Sequence, residues 1–394
     1  MFDFSRQFGP LRQEILDAIA QVCDSQIFIL GPRVAAFESA AAAACASSFA
    51  IGCASGTDAL WLALAAAGIG NSASSTRAGT APYAVITTPF TFFASASSIL
   101  RAGARPVFAD IDPLTFNLSP DAVAELLRSP AGRDINAILP VHLYGQCADW
   151  DAFAAVARDR PGLLLIEDAA QAFGATWSGR PAGSLGAAAT FSFYPTKNLA
   201  AFGDAGLVTT SSPQLAAHAR SLRAHGMTRR YYHDEVGWNS RLDAIQAAVL
   251  EVKLRYLPEW NQQRRDRAAR YDELFRAAGL ATAPATSSTG ASTQDGIVLP
   301  FTDPRATHVF HQYVIRAPRR DGLRDHLTAH GIGSEIYYPV PLHLQAAFKD
   351  LGYKPGDFPH AERASAEVLA LPIYPELRDD EQQTVVDAIR SFYA

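Results

Sequence analysis

The run Leu163-Leu164-Leu165-Ile166-Glu167-Asp168-Ala169-Ala170-Gln171 is an apolar strand pattern ending in an acid. Downstream, Phe191-Ser192-Phe193-Tyr194-Pro195-Thr196-Lys197-Asn198-Leu199 is a second apolar run, closed by a lysine. Short aliphatic or β-branched runs separated by helical patterns are how a parallel sheet with crossover helices reads in sequence. Working outward, further strands are expected at Phe49 to Cys53, Ala84 to Thr88, Pro106 to Ile111, Ala137 to Val141 and Gly206 to Thr210. Helices are expected near Thr57 to Ala67, Phe92 to Ala102, Pro120 to Leu127 and Trp150 to Arg158. Ligands of open α/β sheets collect beyond the carboxyl ends of the strands, where Asp168 and Ser55 both fall.

An acid and an amine at two such strand ends suit pyridoxal phosphate (PLP). A carboxylate keeps the pyridine nitrogen protonated, so that the ring accepts electrons, and an amine carries the cofactor as a Schiff base and moves protons. Ala54-Ser55-Gly56-Thr57-Asp58-Ala59-Leu60 adds a small-residue turn opening a helix, whose free amides and positive dipole favour a phosphate. Each residue also has a plainer reading. Asp168 could cap a following helix, with Gln171 three positions on completing a capping box. Lys197 could be a solvated lysine, but it sits among Phe191, Phe193, Tyr194, Leu199 and Phe202, and apolar company lowers a lysine's pKa as a Schiff-base amine requires.

The 394 residues suffice for a large domain and a smaller one. With 48% hydrophobic residues, 19% charged and a net charge of -5, the chain carries no electrostatic footprint for nucleic acid. Cys23, Cys45, Cys53 and Cys147 show no metal-binding spacing and read as free thiols, as expected of a reducing cytoplasm. The Ala-rich run from Ala40 is too short to span a bilayer and the N-terminus lacks a signal-peptide core, so neither insertion nor secretion is expected.

A long helical stretch from Leu242 to about Arg276, interrupted near Pro258, leads into a Ser/Thr/Ala-rich loop from Ala281 to Asp295. Beyond it come a strand at Tyr313 to Arg316 and helices near Leu323 to His330, Ala361 to Leu369 and Asp380 to Tyr393. The expected division is a large PLP-binding α/β domain over residues 1–255 and a small α+β domain over 256–394. A polar stretch from Asn71 to Ala81 reads as a surface insertion.

The chain resembles the DegT/DnrJ/StrS-type sugar aminotransferases, PLP enzymes of fold type I that act on nucleotide-linked keto sugars. The likeness runs over nearly the whole chain, from Gly31-Pro32 through Ser55-Gly56-Thr57-Asp58-Ala59-Leu60, Thr87-Thr88-Pro89-Phe90-Thr91-Phe92, Pro140-Val141-His142-Leu143-Tyr144-Gly145, Glu167-Asp168-Ala169-Ala170-Gln171 and the lysine segment. It continues through Gly237-Trp238-Asn239-Ser240-Arg241-Leu242-Asp243 to Tyr337-Tyr338-Pro339-Val340-Pro341-Leu342-His343. It implies the fold type I architecture and a role for each matching residue. Lys197 would carry PLP and shuttle the proton, Asp168 would pair with the pyridinium and Gln171 would bond the ring oxygen. Phe92 would stack on the ring, Gly56, Thr57 and Ser192 would hold the phosphate, and Asn239 would reach that phosphate from the other chain of a homodimer.

His142, Tyr144, His311, Tyr313, Tyr337 and His343 fall in segments that line the sugar and donor site of similar enzymes, with core packing as the alternative for each aromatic. The polar aromatic loop with His225, Tyr231, Tyr232 and His233 could touch sugar or nucleotide, while Arg229 and Arg230 could face either solvent or a diphosphate. Ala200, Ala201 and Ala205 stand where relatives often carry glycine, a departure that could reshape the loop under the cofactor. Because the lysine is present, the resemblance implies transamination, with L-glutamate as donor, rather than the family's dehydratase branch, where a histidine replaces it. A keto-cyclitol substrate, or PLP binding without catalysis, are the competing readings.

Overall fold

The computed structural model describes residues 3–70, 83–282 and 296–394. The insertion expected over Asn71 to Ala81 lies outside them, as does most of the loop expected up to Asp295. The chain opens with two helices that the sequence reading left unassigned, α1 (Phe4–Ser25) and α2 (Pro32–Ala44).

A seven-stranded sheet follows, made of β1 (Phe49–Cys53), β2 (Ala84–Thr87), β3 (Arg105–Phe108), β4 (Ile135–Ile138), β5 (Leu164–Asp168), β6 (Ala188–Ser192) and β7 (Gly206–Thr210). Their order is β1-β7-β6-β5-β4-β2-β3. The β3/β2, β2/β4, β4/β5 and β5/β6 pairs are parallel, whereas β7 runs antiparallel between β1 and β6. The sheet is therefore mostly parallel, as expected, with one reversed strand. The chain reaches β7 from β6 through the lysine loop instead of a helical crossover, and so enters it from the opposite end.

Crossover helices connect the parallel strands: α3 (Gly56–Ala66), α4 (Ala94–Arg101), α5 (Pro120–Arg128) and α6 (Trp150–Arg158). Their starts are written locally. Ser55, Ser119 and Asp149 each accept from the backbone N–H three residues on, and Pro120 occupies the first turn of α5, where its missing N–H is no loss. In α3, Ala59, Leu60, Trp61, Leu62, Ala63 and Leu64 are all buried, so no polar face exists and the helix lies inside the molecule. Beyond β7, α7 (Pro213–Leu222) packs on α3, and α8 (Ala244–Leu254) packs on α1 and α2. One apolar cluster joins α1, α2 and α8 to one side of the sheet, and a second joins α3 and α7 to the other.

The interruption near Pro258 is real. α9 (Leu257–Ala277) restarts with Pro258 in its first turn, and Leu257 and Trp260 join the large cluster while Tyr271 and Phe275 join another farther on. That cluster gathers β8 (Tyr313–Arg316), α10 (Arg320–Ala329), β9 (Val368–Leu371) and α12 (Asp379–Tyr393), with β8 and β9 antiparallel, while α11 (Pro359–Glu367) buries Ala361 and Ala364 in a neighbouring cluster with Phe90 and Phe108. The helix expected through Leu369 stops at Glu367, because Val368-Leu369-Ala370-Leu371 pairs with β8 instead. β-branched and aliphatic residues buried on both faces favour that pairing over another helical turn.

Candidate active site

Alternation along two strands decides which side chains face the carboxyl edge of the sheet. On β5, Glu167 and Asp168 point opposite ways. Glu167 is wholly buried and accepts from the N–H groups of Gly183 (2.8 Å), Leu185 (2.8 Å) and Gly186 (2.9 Å), while the His142 ring lies at 3.1 Å. Asp168, 3% exposed, accepts instead from Ser95 Oγ (2.7 Å) and from the N–H of Ala170 (3.2 Å). On β6, Phe191 and Phe193 pack against Phe173, and Phe193 also against Phe37, which leaves Ser192 between them facing the other way. No helix starts after Asp168: residues 169–175 form turns. The capping-box reading of Asp168 and Gln171 therefore fails.

Lys197 hangs in the loop between β6 and β7, and that loop is pinned from several sides. Asn198 donates to Asn261 Oδ1 (2.8 Å) and to the Val309 carbonyl (2.9 Å), Lys253 Nζ donates to the Ala200 carbonyl (2.9 Å), and Ala201 N–H bonds the Phe193 carbonyl (2.8 Å). Ala200, Ala201 and Ala205, noted as departures from relatives, belong to this loop and are all buried. Burial lowers the Lys197 ammonium to about 8, with Asp168 the carboxylate opposing that shift. Burial likewise raises the Asp168 carboxyl, against the hydrogen bonds from Ser95 and Ala170 and the charge of Lys197. Each group disfavours its own charge and supports the other's.

The turn Ser55-Gly56-Thr57, where a phosphate is expected, lies against the end of β6. A Cβ added to Gly56 would come within 2.5 Å of Ser192 Cβ, and one added to Gly206 would meet the Ser55 carbonyl at 2.2 Å. The first turn of α3, with half-buried Thr57, is thus laid directly against Ser192, and both glycines are needed for that approach. Phe92 is 57% exposed at the same edge, its ring 6.3 Å from that of Tyr338. Gln171 accepts the Tyr144 N–H at Oε1 (2.6 Å) and donates to the Tyr338 hydroxyl (3.1 Å).

The substrate expectations fare unevenly. His142 is fully buried, its Nδ1 accepting the Ala148 N–H and its Nε2 facing Glu167, so it supports the strand ends and lines no cleft. Tyr144 is buried with its hydroxyl donated to the Tyr337 carbonyl. Tyr313 lies in the core, bonded to Asp272, and His343 is buried beside Glu362 and Phe358. In each of these four the core reading prevails, because the side chain is buried and a polar atom of it meets a protein partner, although His343 Nδ1 has none. His311 is buried against Asn198 (3.3 Å) and close enough to Lys197 for that charge to help keep its ring neutral, after burial itself. Tyr337 alone of the six is half-buried. Asn239 and the hairpin of Met227–Arg229 and Tyr232–His233 are largely exposed. Ser95 and Tyr338 were not singled out from the sequence. Tyr338 adjoins a residue that was, whereas the only signal for Ser95 is its spacing of four from Thr91.

These residues fit PLP on their own chemistry: a buried carboxylate for a pyridinium, an amine beside it, an uncovered aromatic face, and a helix start with a hydroxyl where a Cβ would intrude. Residues 10–390 match the model of the DegT/DnrJ/EryC1/StrS aminotransferase family. The chain belongs to this family. It is 47% identical over 393 residues to the "Pleiotropic regulatory protein" of Geobacillus stearothermophilus, covering 100% of this chain and 98% of that one. It is 41% identical to the dTDP-3-amino-3,4,6-trideoxy-alpha-D-glucose transaminase of Streptomyces venezuelae, covering 99% and 95%. The crystal structure of S. venezuelae DesV in complex with a ketimine intermediate superposes with a TM-score of 0.88 at 41% identity, covering 99% of this chain and 96% of that one. As a member of this family the chain is a PLP-dependent aminotransferase of fold type I. Among the described residues no cluster of His, Cys, Asp or Glu is placed to hold a metal, and no helix is long and apolar enough to cross a membrane.

Proposed function

We propose that this aminotransferase moves an amino group from L-glutamate to the keto group of a nucleotide-linked sugar, in the cytoplasm, as a homodimer whose chains share each active site. The observation that carries this reading is the joining of Asp168, Lys197, Gly56 and Ser192 at one sheet edge by a chain whose relative is a named dTDP-sugar transaminase. PLP, when bound, supplies a carbonyl for amine exchange and an electron sink. The chain's own residues do the rest. Lys197 gives up and takes back a proton at Nζ, and a pKa of about 8 leaves roughly a tenth of it neutral at pH 7 before any charge of the cofactor acts. Asp168 holds the pyridinium proton, while the amides of Gly56 and Thr57 and the Ser192 hydroxyl bind phosphate. Phe92 covers one face of the ring, and Gln171 reaches its oxygen.

The partner subunit's Asn239 completes the phosphate site in this reading. Apolar side chains left open on the single chain, among them Ile27, Phe28, Ile29 and Phe202, supply surface for the dimer. Division near residue 255 agrees with the break between α8 and α9, although α9 itself packs in both clusters. Of the residues expected to meet the sugar or the donor, Tyr337 is retained and Tyr338 is added.

The test is the visible absorption of the purified protein with PLP, before and after L-glutamate, beside Lys197→Ala. Loss of the lysine-bound cofactor's band with stoichiometric release of 2-oxoglutarate, absent in the variant, is expected. Nucleotide-linked keto sugars, but not keto-cyclitols, should then restore the band. A band that glutamate leaves unchanged would exclude glutamate as donor, and a preference for keto-cyclitols would replace the sugar.

A further inference from the structure

Asp168 needs to be ionised to hold a pyridinium, yet it lies where burial favours the neutral acid. Ser95 Oγ lies 2.7 Å from Asp168 Oδ2, and Thr91 Oγ1 lies 3.0 Å from Ser95 Oγ. Ser95 is 1% exposed and Thr91 3%, so bulk water does not compete for either hydroxyl. The direction of this chain follows from its end. An ionised carboxylate only accepts, so the single Ser95 proton goes to Asp168, and Ser95 in turn accepts from Thr91. The two hydroxyls sit four residues apart, Ser95 in the first turn of α4 and Thr91 in the bend before it, on the same segment that presents Phe92.

We propose that Ser95, backed by Thr91, is a positioning residue that fixes the Asp168 carboxylate at Oδ2 and holds it in the ionised form needed to retain the cofactor. The proposal rests on the PLP reading above. One short segment then sets two cofactor contacts at once, the stacking ring and, through Ser95, the orientation of the acid. The other titratable groups facing Asp168 cannot substitute for it. Lys197 contributes charge, but that amine is committed to chemistry. His142 is held by Ala148 and Glu167, and the Tyr338 hydroxyl, which accepts from Gln171, makes no hydrogen bond to Asp168 among the described residues. Ser95 alone gives Asp168 a charge-assisted side-chain hydrogen bond among the described residues.

The experiment compares wild type with Ser95→Ala, Ser95→Thr, Asp168→Asn and the Ser95→Ala/Asp168→Asn double variant. Two quantities are measured on each: the pH dependence of thermal unfolding without cofactor, and PLP affinity across pH by equilibrium titration. The Asp168-dependent step is the difference between wild type and Asp168→Asn. Ser95→Ala should move its midpoint upward by about one pH unit and weaken PLP binding about tenfold near neutral pH. Ser95→Thr should restore both, and Ser95→Ala should add nothing in the Asp168→Asn background. A Ser95→Ala protein with unchanged midpoint and PLP affinity, merely less stable at every pH, would overturn the proposal. So would an equal effect of Ser95→Ala with Asp168 absent. A wild type that takes up no PLP would instead overturn the functional reading, and the cofactor-free titration would still decide the role of Ser95.

Discussion

Lys197 shows how one site residue is opposed to the fold that carries it. Its ammonium is lowered from 10.5 to about 8, chiefly by burial. Below about pH 8 it is charged in folded and unfolded chains alike, so its desolvation weighs fully against folding. Between about 8 and 10.5 the unfolded chain alone binds the proton, and the folded state gains as pH rises. Lys197→Met without cofactor should therefore unfold at a higher temperature than wild type at pH 7, with the gap narrowing toward pH 10, while transamination falls by at least about a thousandfold. A variant less stable than wild type at pH 7 would contradict the burial argument. Gly56 makes the complementary case, since the conflict there is steric. A Cβ at 2.5 Å from Ser192 Cβ and 3.1 Å from its Cα cannot be relieved by a rotamer change alone. Gly56→Ala should weaken PLP binding about tenfold or more with little change in helix content, read by cofactor titration and circular dichroism.

At the scale of the elements, Glu167 and its turn separate what support does from what chemistry does. Replacing Glu167 by Gln keeps the shape but turns one oxygen into an amide donor facing either the N–H groups of Leu185 and Gly186 or that of Gly183 with His142. His142 has no free tautomer to offer, because its Nδ1 already accepts from Ala148. Glu167→Gln should cost about 2–4 kcal/mol, measured as a shift of the urea midpoint, and lower Asp168-dependent cofactor retention only as the fold loosens. The same strand shows what was legible in the chain. Apolar runs with an acid or lysine at the end, Ser caps and the proline in α5 are local signals, and the strands at Phe49–Cys53, Gly206–Thr210 and Tyr313–Arg316 lie where the pattern places them. The placement of Asp168 at a strand end and of Gly56 at a helix start was legible for the same reason, whereas Ser192 entered only through the family resemblance. What was not legible depends on partners distant in sequence. β9 replaces the end of a helix because β8 is there to pair with, and Ser95 matters only because Asp168 lies opposite it. His142, Tyr144, Tyr313 and His343 carry polar groups suited to a substrate, yet in the fold those groups meet Glu167, the Tyr337 carbonyl, Asp272 and Glu362.

At the scale of the whole molecule, the phosphate contact proposed for Asn239 could be made within one chain or across a dimer, and the two arrangements behave differently. The residue is exposed, yet its neighbour Ser240 is buried and bonds Asp58 at the start of the same chain's α3 (2.9 Å), so the loop begins close to its own site and then turns outward. Subunit complementation distinguishes the two arrangements. Asn239→Ala and Lys197→Ala homodimers, assayed at limiting PLP, should each be nearly inactive. When they are unfolded together, refolded as a mixture and allowed to re-pair at random, half of the dimers contain one chain of each kind. If Asn239 acts across the interface, each mixed dimer has one site with both Lys197 and the partner subunit's Asn239 intact, and activity should return to about a quarter of wild type. If Asn239 serves its own chain, every site in the mixture lacks one of the two groups and no activity returns. Dilution gives an independent check, because a shared site must lose PLP as dimers dissociate. Sedimentation and cofactor titration over the same concentration range should therefore show the two transitions together, and a monomer that keeps full PLP affinity would sink the shared-site reading.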